Sequence, residues 1–238
     1  MNYTASELLN KILKTKSNPQ IKLLGDSITH GVGGSGWEQN GEVIVAGWAQ
    51  SPDSYCWATL FRDYMAEKYD ARVVNKACTG TCIEFIINNF DALVDEDDDL
   101  IICTIGTNNR NQYDVTPESV RIAPEALSQR FFGNVKKLND MICAKGISVI
   151  FVANIPASAA NEQDGVDYWR IIHMCDINDI YKKGARELGV ELISLYDLFT
   201  QYCDTNGIIV DSLLCDGLHP NDEGYKVMFD LLVKALDV

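Results

Sequence analysis

The chain has 238 residues, enough for one large α/β domain or two small ones. Hydrophobic residues make up 47% and charged residues 23%, the proportions of a soluble globular protein, which excludes disordered, collagen-like and coiled-coil chains. The formal net charge of −14 opposes binding to a nucleic-acid backbone or an anionic membrane surface, so neither is expected as a partner.

The eight cysteines are scattered without the density of a disulfide scaffold, which favours reduced thiols in the core. No Cys-x-x-Cys motif occurs, and the nearest pair, Cys78 and Cys82, has no histidine cluster beside it. A structural zinc site is therefore not expected. We expect neither a metal nor a cofactor.

The first predicted element, residues 1–18, carries Leu8, Leu9, Ile12 and Leu13 at helical spacing among polar residues. This is the pattern of an amphipathic helix and not the continuous apolar core of a secretion signal. No apolar run of about 18 residues follows, which predicts no membrane insertion and a cytoplasmic location.

From there on, short apolar runs alternate with longer amphipathic ones. The short runs predict strands at 21–24, 73–74, 100–105, 148–153 and 191–194. The longer runs predict helices at 55–69, 83–93, 124–144, 166–188 and 221–236. The run 100–105 is apolar on both faces, as a strand buried between two helical layers must be. We predict a flavodoxin-like three-layer α/β/α sandwich with a central parallel sheet of about five strands. No repeat or linker divides it, so a single domain over 1–238 is expected.

In such sheets ligands bind beyond the carboxyl ends of the strands, so the segments after each strand are the candidate site. Ser27 follows the first strand through Gly25, and a nucleophilic serine needs a base, a carboxylate that orients the base, and donors for the oxyanion. Of the three histidines, His30, His173 and His219, only His219 has a carboxylate three residues before it, at Asp216. Singly, a serine in such a turn is usually a helix cap, and an Asp-x-x-His is usually a surface turn.

Together, four ordered segments resemble one family, the GDSL or SGNH hydrolases. They are Gly25-Asp26-Ser27-Ile28, Asn75 followed by Gly80, Gly106-Thr107-Asn108-Asn109, and Asp216-Gly217-Leu218-His219-Pro220. The resemblance covers roughly residues 20–226. It implies Ser27 as nucleophile, His219 as general base and acid, and Asp216 as the residue that orients His219. It also implies an oxyanion hole formed by the backbone N–H groups of Ser27 and Gly80 and the side-chain amide of Asn108.

Two positions depart from the family pattern. Asn109 stands where the third segment usually ends in Asp, and Ala77 stands where many relatives have Gly. The first change concerns a supporting hydrogen bond near Asn108, and the second concerns the path of the loop toward Gly80. Gly-x-Ser-x-Gly does not occur, which excludes the nucleophile elbow of the α/β-hydrolase fold. We interpret Asp26 as an acceptor that stabilises the turn.

A long insertion at 31–52 follows the nucleophile. Loops of this length are often lids or binding loops, and Trp37 or Trp48 could stack on a sugar face or cover an acyl chain; the alternative is a packed surface loop. His30 is a weaker candidate for lining the pocket. The acidic run 95–99 is most simply a solvated loop, because it lacks the spacing of a calcium loop.

The sequence therefore predicts a serine esterase that releases short acyl groups, such as acetyl, from a carbohydrate or another small alcohol. The same triad also suits a lysophospholipase, a thioesterase or an acyltransferase, and the sequence does not show which nucleophile resolves the acyl-enzyme. A flavodoxin-like binding module without catalysis is a further alternative. The complete set of Ser27, Asp216 and His219 argues against that module and against a scaffold with an inactive site.

Overall fold

The computed structural model describes residues 4–37, 53–114, 116, 118–163 and 169–238. Its five strands are β1 (Gln20–Gly25), β2 (Arg72–Asn75), β3 (Leu100–Thr104), β4 (Ser148–Ala153) and β5 (Glu191–Ser194). All pair in parallel, in the order β2-β1-β3-β4-β5. Helices cover both faces, so the predicted three-layer sandwich is confirmed.

Among the described residues, the helices are α1 (Ala5–Thr15), α2 (Ser27–His30), α3 (Trp57–Tyr69), α4 (Ile83–Asn88), α5 (Phe90–Leu93), α6 (Pro124–Ala144), α7 (Met174–Leu188), α8 (Leu195–Asn206) and α9 (Asp222–Leu236). The same part of the chain also has 3₁₀ turns at Asn108–Arg110 and Val210–Leu213. Within the described ranges, every helix is too short or too polar to traverse a lipid bilayer.

Two hydrophobic cores lie on opposite faces of the sheet. The first is formed with α1, α3, α8 and α9, and the second with α4, α5, α6 and α7. Strand alternation divides the residues between them: Leu23 of β1 enters the first core and Leu24 enters the second. Both side chains are fully buried, which is why the strands read as continuous apolar runs.

The structure corrects the predicted elements in three places. The helix expected from residue 166 begins only at Met174, because His173 has extended backbone and Asp176 accepts its N–H in a capping box. The helix expected over 83–93 is interrupted at Asn89, whose side chain donates to the carbonyl of Phe85. Helix α8 was not expected; it starts directly after β5 with Ser194 as its cap, so no loop separates strand from helix.

The acidic run 95–99 is not simply solvated. The ammonium of Lys22, whose side chain is 3% exposed, lies 2.5 Å from a carboxylate oxygen of Asp95 and 3.3 Å from one of Asp98. Asp99 accepts the backbone N–H of Gln20. The run therefore closes the amino-terminal side of β1 through ion pairs.

The strand order places the candidate residues at one crevice. In a sheet ordered 2-1-3-4-5, the chain leaves β1 and β3 in opposite directions, and the gap beyond their carboxyl ends is the usual ligand site. Ser27 follows β1 after one intervening residue, and Asn108 follows β3 by four positions. The fold thus brings the segments after these two strands to the same edge.

Candidate active site

Ser27 lies at the first position of α2, in a tight turn after β1. Gly25 permits this turn, because a Cβ there would lie 2.4 Å from Oγ1 of Thr29 and 2.7 Å from the carbonyl oxygen of Thr104. Asp26 caps α2 by accepting the N–H of Ile28 at 3.1 Å, as interpreted from the sequence. The turn presents the Ser27 hydroxyl at the carboxyl edge of the sheet.

Asp216 and His219 lie in one loop before α9. One carboxylate oxygen of Asp216 accepts the backbone N–H groups of Leu218 and His219, at 3.0 and 2.8 Å. The other oxygen lies 2.7 Å from Nδ1 of His219. Burial opposes ionisation of Asp216, but the hydrogen bonds from His219 and Leu218 together lower the pKa of this carboxyl below its ordinary value. The loop therefore holds an ionised carboxylate against the imidazole.

The structure brings Ser27, His219 and Asp216 into one continuous series of hydrogen bonds. Nε2 of His219 lies 2.8 Å from Oγ of Ser27, although the two residues are 192 positions apart. An ionised carboxylate can only accept, so the proton of the neutral imidazole is on Nδ1 and Nε2 accepts from the serine. This tautomer is the one that can take the hydroxyl proton of Ser27.

The segment with Gly80 and the segment with Asn108 are joined through Thr81. Gly80 has φ of +71°, a conformation that favours glycine, and Thr81 donates its hydroxyl to the carbonyls of Gly25 and Cys78. Nδ2 of Asn108 donates to the carbonyl of Thr81 at 2.9 Å. Both predicted oxyanion donors are thereby tied to the turn that carries Ser27.

Asp26 directly precedes the nucleophile in the chain and is fully buried. It faces neutral donors, the N–H of Ile28 and the amide of Asn154, each at 3.1 Å, together with Thr107. Burial raises the pKa of Asp26, and these hydrogen bonds and the nearby His219 only partly offset that effect. Its contacts fit the sequence interpretation of a structural acceptor.

Of the residues predicted to contact the substrate, His30 is buried and Trp37 is partly exposed. Burial lowers the pKa of His30 to about 4. Its Nδ1 accepts the indole N–H of Trp37 at 3.2 Å, which indicates that the neutral imidazole holds this tryptophan in place. Trp48 and the remainder of the insertion, 38–52, lie outside the described residues.

The two departures from the family pattern have clear local partners. Asn109 is buried; its oxygen accepts the N–H of Ile83 at 2.9 Å and its amide donates to Glu84 at 2.7 Å. The supporting hydrogen bond is thus present, and a carboxylate at 109 would face that of Glu84. Ala77 is also buried, and its N–H donates to the side chain of Asn75.

Sequence reasoning missed several residues that support the site. Asn154 follows β4 directly, so the rule for strand ends applied to β4 could have found it. Arg110 is buried and pairs with Glu162, and it also donates to Asn161 at 3.0 Å. No local pattern marks that pair, because its members are 52 positions apart.

Known proteins resemble this chain over most of its length. The model of the GDSL-like lipase/acylhydrolase family matches residues 23–227. The chain is also 26% identical to an uncharacterized protein of Bacillus subtilis (strain 168), YpmR, over 94% of this chain and 83% of that protein.

Solved structures share the fold at lower identity. Axe2, an acetylxylan esterase from Geobacillus stearothermophilus, superimposes with a TM-score of 0.67 at 17% identity, over 94% of this chain and 97% of Axe2. LAE5, an α/β hydrolase enzyme from the metagenome of Lake Arreo in Spain, gives a TM-score of 0.70 at 18% identity, over 94% and 98% of the two chains.

Proposed function

This chain belongs to the GDSL-like lipase/acylhydrolase family, and from that premise we propose that it is a serine esterase acting on short acyl esters of carbohydrates or other small alcohols. Membership makes it a carboxylic ester hydrolase. The acyl length, the alcohol and the route through an acyl-enzyme are the content of the proposal.

One observation supports the route most directly, the unbroken series of contacts from Asp216 to His219 at 2.7 Å and from His219 to Ser27 at 2.8 Å. In the first step, Oγ of Ser27 bonds to the acyl carbon while its proton passes to Nε2 of His219. The alcohol then leaves with that proton as its C–O bond breaks. Asp216 stabilises the imidazolium that exists between these events.

In the second half, water attacks the acyl-enzyme. His219 takes a proton from the water and returns it to Oγ of Ser27 as the acid is released. Each half passes through an oxyanion, and donors aimed at that charge usually give the largest single contribution to such a reaction. We assign this role to the N–H groups of Ser27 and Gly80 and to the amide of Asn108. One Asn108 hydrogen goes to Thr81, and the second is the one assigned to the oxyanion.

The substrate class is supported by the acetylxylan esterase that shares the fold and by Trp37, which contacts His30 in the helix that begins at Ser27. Trp37 is fixed by His30 and partly exposed, so its ring is a candidate surface for stacking on a sugar. Trp48 stays a candidate for the same role. A net charge of −14 disfavours a nucleic-acid partner.

The proposal is tested by the hydrolysis of p-nitrophenyl acetate, butyrate and octanoate. Ser27→Ala is compared with the wild-type enzyme, and Ser6→Ala on α1 serves as the matched control. We expect turnover that falls with acyl length, is abolished in Ser27→Ala and is unchanged in Ser6→Ala. Equal rates in wild-type and Ser27→Ala would remove the nucleophile assignment. Preference for octanoate would overturn the short-acyl assignment and favour the lysophospholipase alternative.

The natural alcohol is tested with acetylated xylo-oligosaccharides, an acyl-coenzyme A and a lysophospholipid. Release of acetate from the oligosaccharides, dependent on Ser27, supports a carbohydrate ester. Exclusive activity on the thioester or the lysophospholipid would replace that substrate class and leave the same triad in place.

A further inference from the structure

Asn108 lies within a short relay of hydrogen bonds that the catalytic scheme does not require. Nδ2 of Asn111 donates to the hydroxyl of Tyr113 at 2.8 Å, and that hydroxyl donates to Oδ1 of Asn108 at 3.1 Å. The Asn108 amide then donates to the carbonyl of Thr81 at 2.9 Å. The relay passes through a tyrosine that is 59% exposed and ends at Thr81, in the loop that is hydrogen-bonded to Gly25.

The donor and acceptor roles in this relay have one consistent arrangement. The carbonyl of Thr81 can only accept, so the amide nitrogen of Asn108, and not its oxygen, faces Thr81. The oxygen of Tyr113 accepts from Asn111, so its single proton points to Oδ1 of Asn108. A half-turn of the amide would place Oδ1 against the Thr81 carbonyl, two acceptors without a proton between them.

This arrangement determines which hydrogen of Asn108 remains for a ligand. One Nδ2 hydrogen is donated to Thr81 and Oδ1 is engaged by Tyr113. Because an amide is planar, these two contacts set the direction of the second Nδ2 hydrogen. A donor stabilises an oxyanion most when its direction is established before the charge develops, because no reorganisation is then needed during the reaction.

The Thr81 end of the relay is itself anchored. The hydroxyl of Thr81 donates to the carbonyl of Gly25 at 3.1 Å and to that of Cys78 at 2.8 Å, which fastens this loop to the turn before Ser27. Through Thr81, one end of the relay therefore fixes the position of the Asn108 amide relative to Ser27. At the other end it depends on a hydroxyl from an exposed side chain.

We propose that Tyr113 is a positioning residue for the reaction, whose hydroxyl holds the Asn108 amide in the orientation that donates to the oxyanion. The inference rests on the proposed function, in which Asn108 is an oxyanion donor. Tyr113 acts through Asn108, so removing its hydroxyl should have no effect once the amide is absent.

The test is a double-mutant cycle on p-nitrophenyl acetate with Tyr113→Phe, Asn108→Ala and the double variant. We expect Tyr113→Phe to lower kcat about three- to tenfold with KM changed by less than about twofold, the effect of one hydrogen bond realised in the transition state. Asn108→Ala should lower kcat by about 100-fold or more. In the double variant kcat should match that of Asn108→Ala within about twofold.

The control is Tyr202→Phe on α8, where the tyrosine packs against the first core. It should leave kcat and KM unchanged, and the thermal midpoint of Tyr113→Phe should stay at the wild-type value. An unchanged kcat in Tyr113→Phe, or effects that multiply in the double variant, would overturn the inference while Ser27-dependent hydrolysis keeps the proposed function. Absence of Ser27-dependent hydrolysis in the wild-type enzyme would remove both together.

Discussion

Buried charged side chains have different kinds of partner at the two ends of β1. On the amino-terminal side, the ammonium of Lys22 is 2.5 Å from Asp95 and 3.3 Å from Asp98, so opposite full charges neutralise one another. At the carboxyl end of the same strand, the carboxylate of Asp26 is surrounded by neutral donors, the N–H of Ile28 and the amide of Asn154.

The difference shows where this fold keeps reactive groups. On the amino-terminal side, Asp95 and Asp98 pair with Lys22, and Asp99 pairs with Lys16, which leaves these three carboxylates little capacity for chemistry. Around Asp26, at the carboxyl end of β1, backbone and side-chain amides are the partners, so this carboxylate is held without a neutralising cation. The Asn108 amide likewise keeps one hydrogen for a developing charge. The acidic run 95–99 therefore has a structural role, and the candidate site lies at the opposite end of β1.

The largest effect is expected at the carboxyl end, from Ser27→Ala and His219→Ala. Each should lower kcat for p-nitrophenyl acetate by about 10⁴-fold or more, and the double variant should be no slower than either, because the two act as a unit. The kinetics of the three variants check this. Multiplicative losses would mean that the 2.8 Å contact between the two side chains is not part of the reaction.

Asp216→Asn should have the next largest effect, with kcat lowered about 10³- to 10⁴-fold. Its amide oxygen can still accept the backbone N–H groups of Leu218 and His219, so the loop is expected to persist. The amide nitrogen would then face Nδ1 of His219, which favours the tautomer that cannot accept the Ser27 proton. Steady-state kinetics with a crystal structure of the variant measure this, and a loss under tenfold with the loop intact would contradict the role given to Asp216.

At the opposite end, Lys22→Met should affect stability and not catalysis. Removing the ammonium leaves the buried carboxylate of Asp98 without its charge partner, and the free energy of unfolding should fall by about 3 kcal/mol. Urea denaturation measures the loss, and kcat at a temperature where the variant is folded should equal the wild-type value. A fall in kcat of the folded variant would break the separation between the two ends.

Asn109→Asp sharpens the comparison within the site, because it adds a charge where the protein uses an amide. The new carboxylate would face Glu84 in place of the 2.7 Å hydrogen bond, and we expect a loss of about 1–3 kcal/mol in stability. Glu84→Gln in the same chain should restore most of it. Denaturation of both variants checks this, and the absence of any restoration would show that Glu84 is not the partner that decides the residue at 109.

The smallest expected effects are on the pH dependence of stability. They have opposite signs for Asp26, at the carboxyl end of β1, and Asp95, at its amino-terminal end. Burial raises the native pKa of Asp26, so the native state binds more protons at this residue, and the contribution of Asp26 to stability falls as pH rises from about 3.8 through the raised pKa. The hydrogen bond from Lys22 lowers the pKa of Asp95, so its contribution is present above about 3.8 and is lost as pH falls through the lowered pKa.

The free energy of unfolding is measured by denaturation as a function of pH for the wild type, Asp26→Asn and Asp95→Asn. Subtracting each variant's value from the wild-type value gives the contribution of that residue at each pH. The Asp26 difference should decrease with rising pH and the Asp95 difference should increase. Two differences of the same sign would contradict the account of how the ends hold charge.

The sequence was sufficient for the features that depend on local patterns. Strands buried on both faces are continuous apolar runs, and the rule for strand ends directs attention to the segments with Ser27 and Asn108. The positions of α8 and of the break at Asn89 were missed, because one follows its strand without a loop and the other depends on a single side-chain contact.

Contacts between distant segments account for the rest. Lys22 meets Asp95 across 73 positions and Arg110 meets Glu162 across 52, and neither pair has a periodicity that a sequence could display. Tyr113 is only five positions from Asn108, but the contact depends on the 3₁₀ turn between them, which the sequence does not indicate.

The central claim is that Ser27 is the group that takes the acyl chain. The most direct measurement is labelling with a p-nitrophenyl alkylphosphonate, followed by intact mass and peptide mapping. We expect one phosphonyl group per chain, located on Ser27, with labelling greatly slowed in His219→Ala. Label at another residue, or labelling of Ser27→Ala at the wild-type rate, would contradict it.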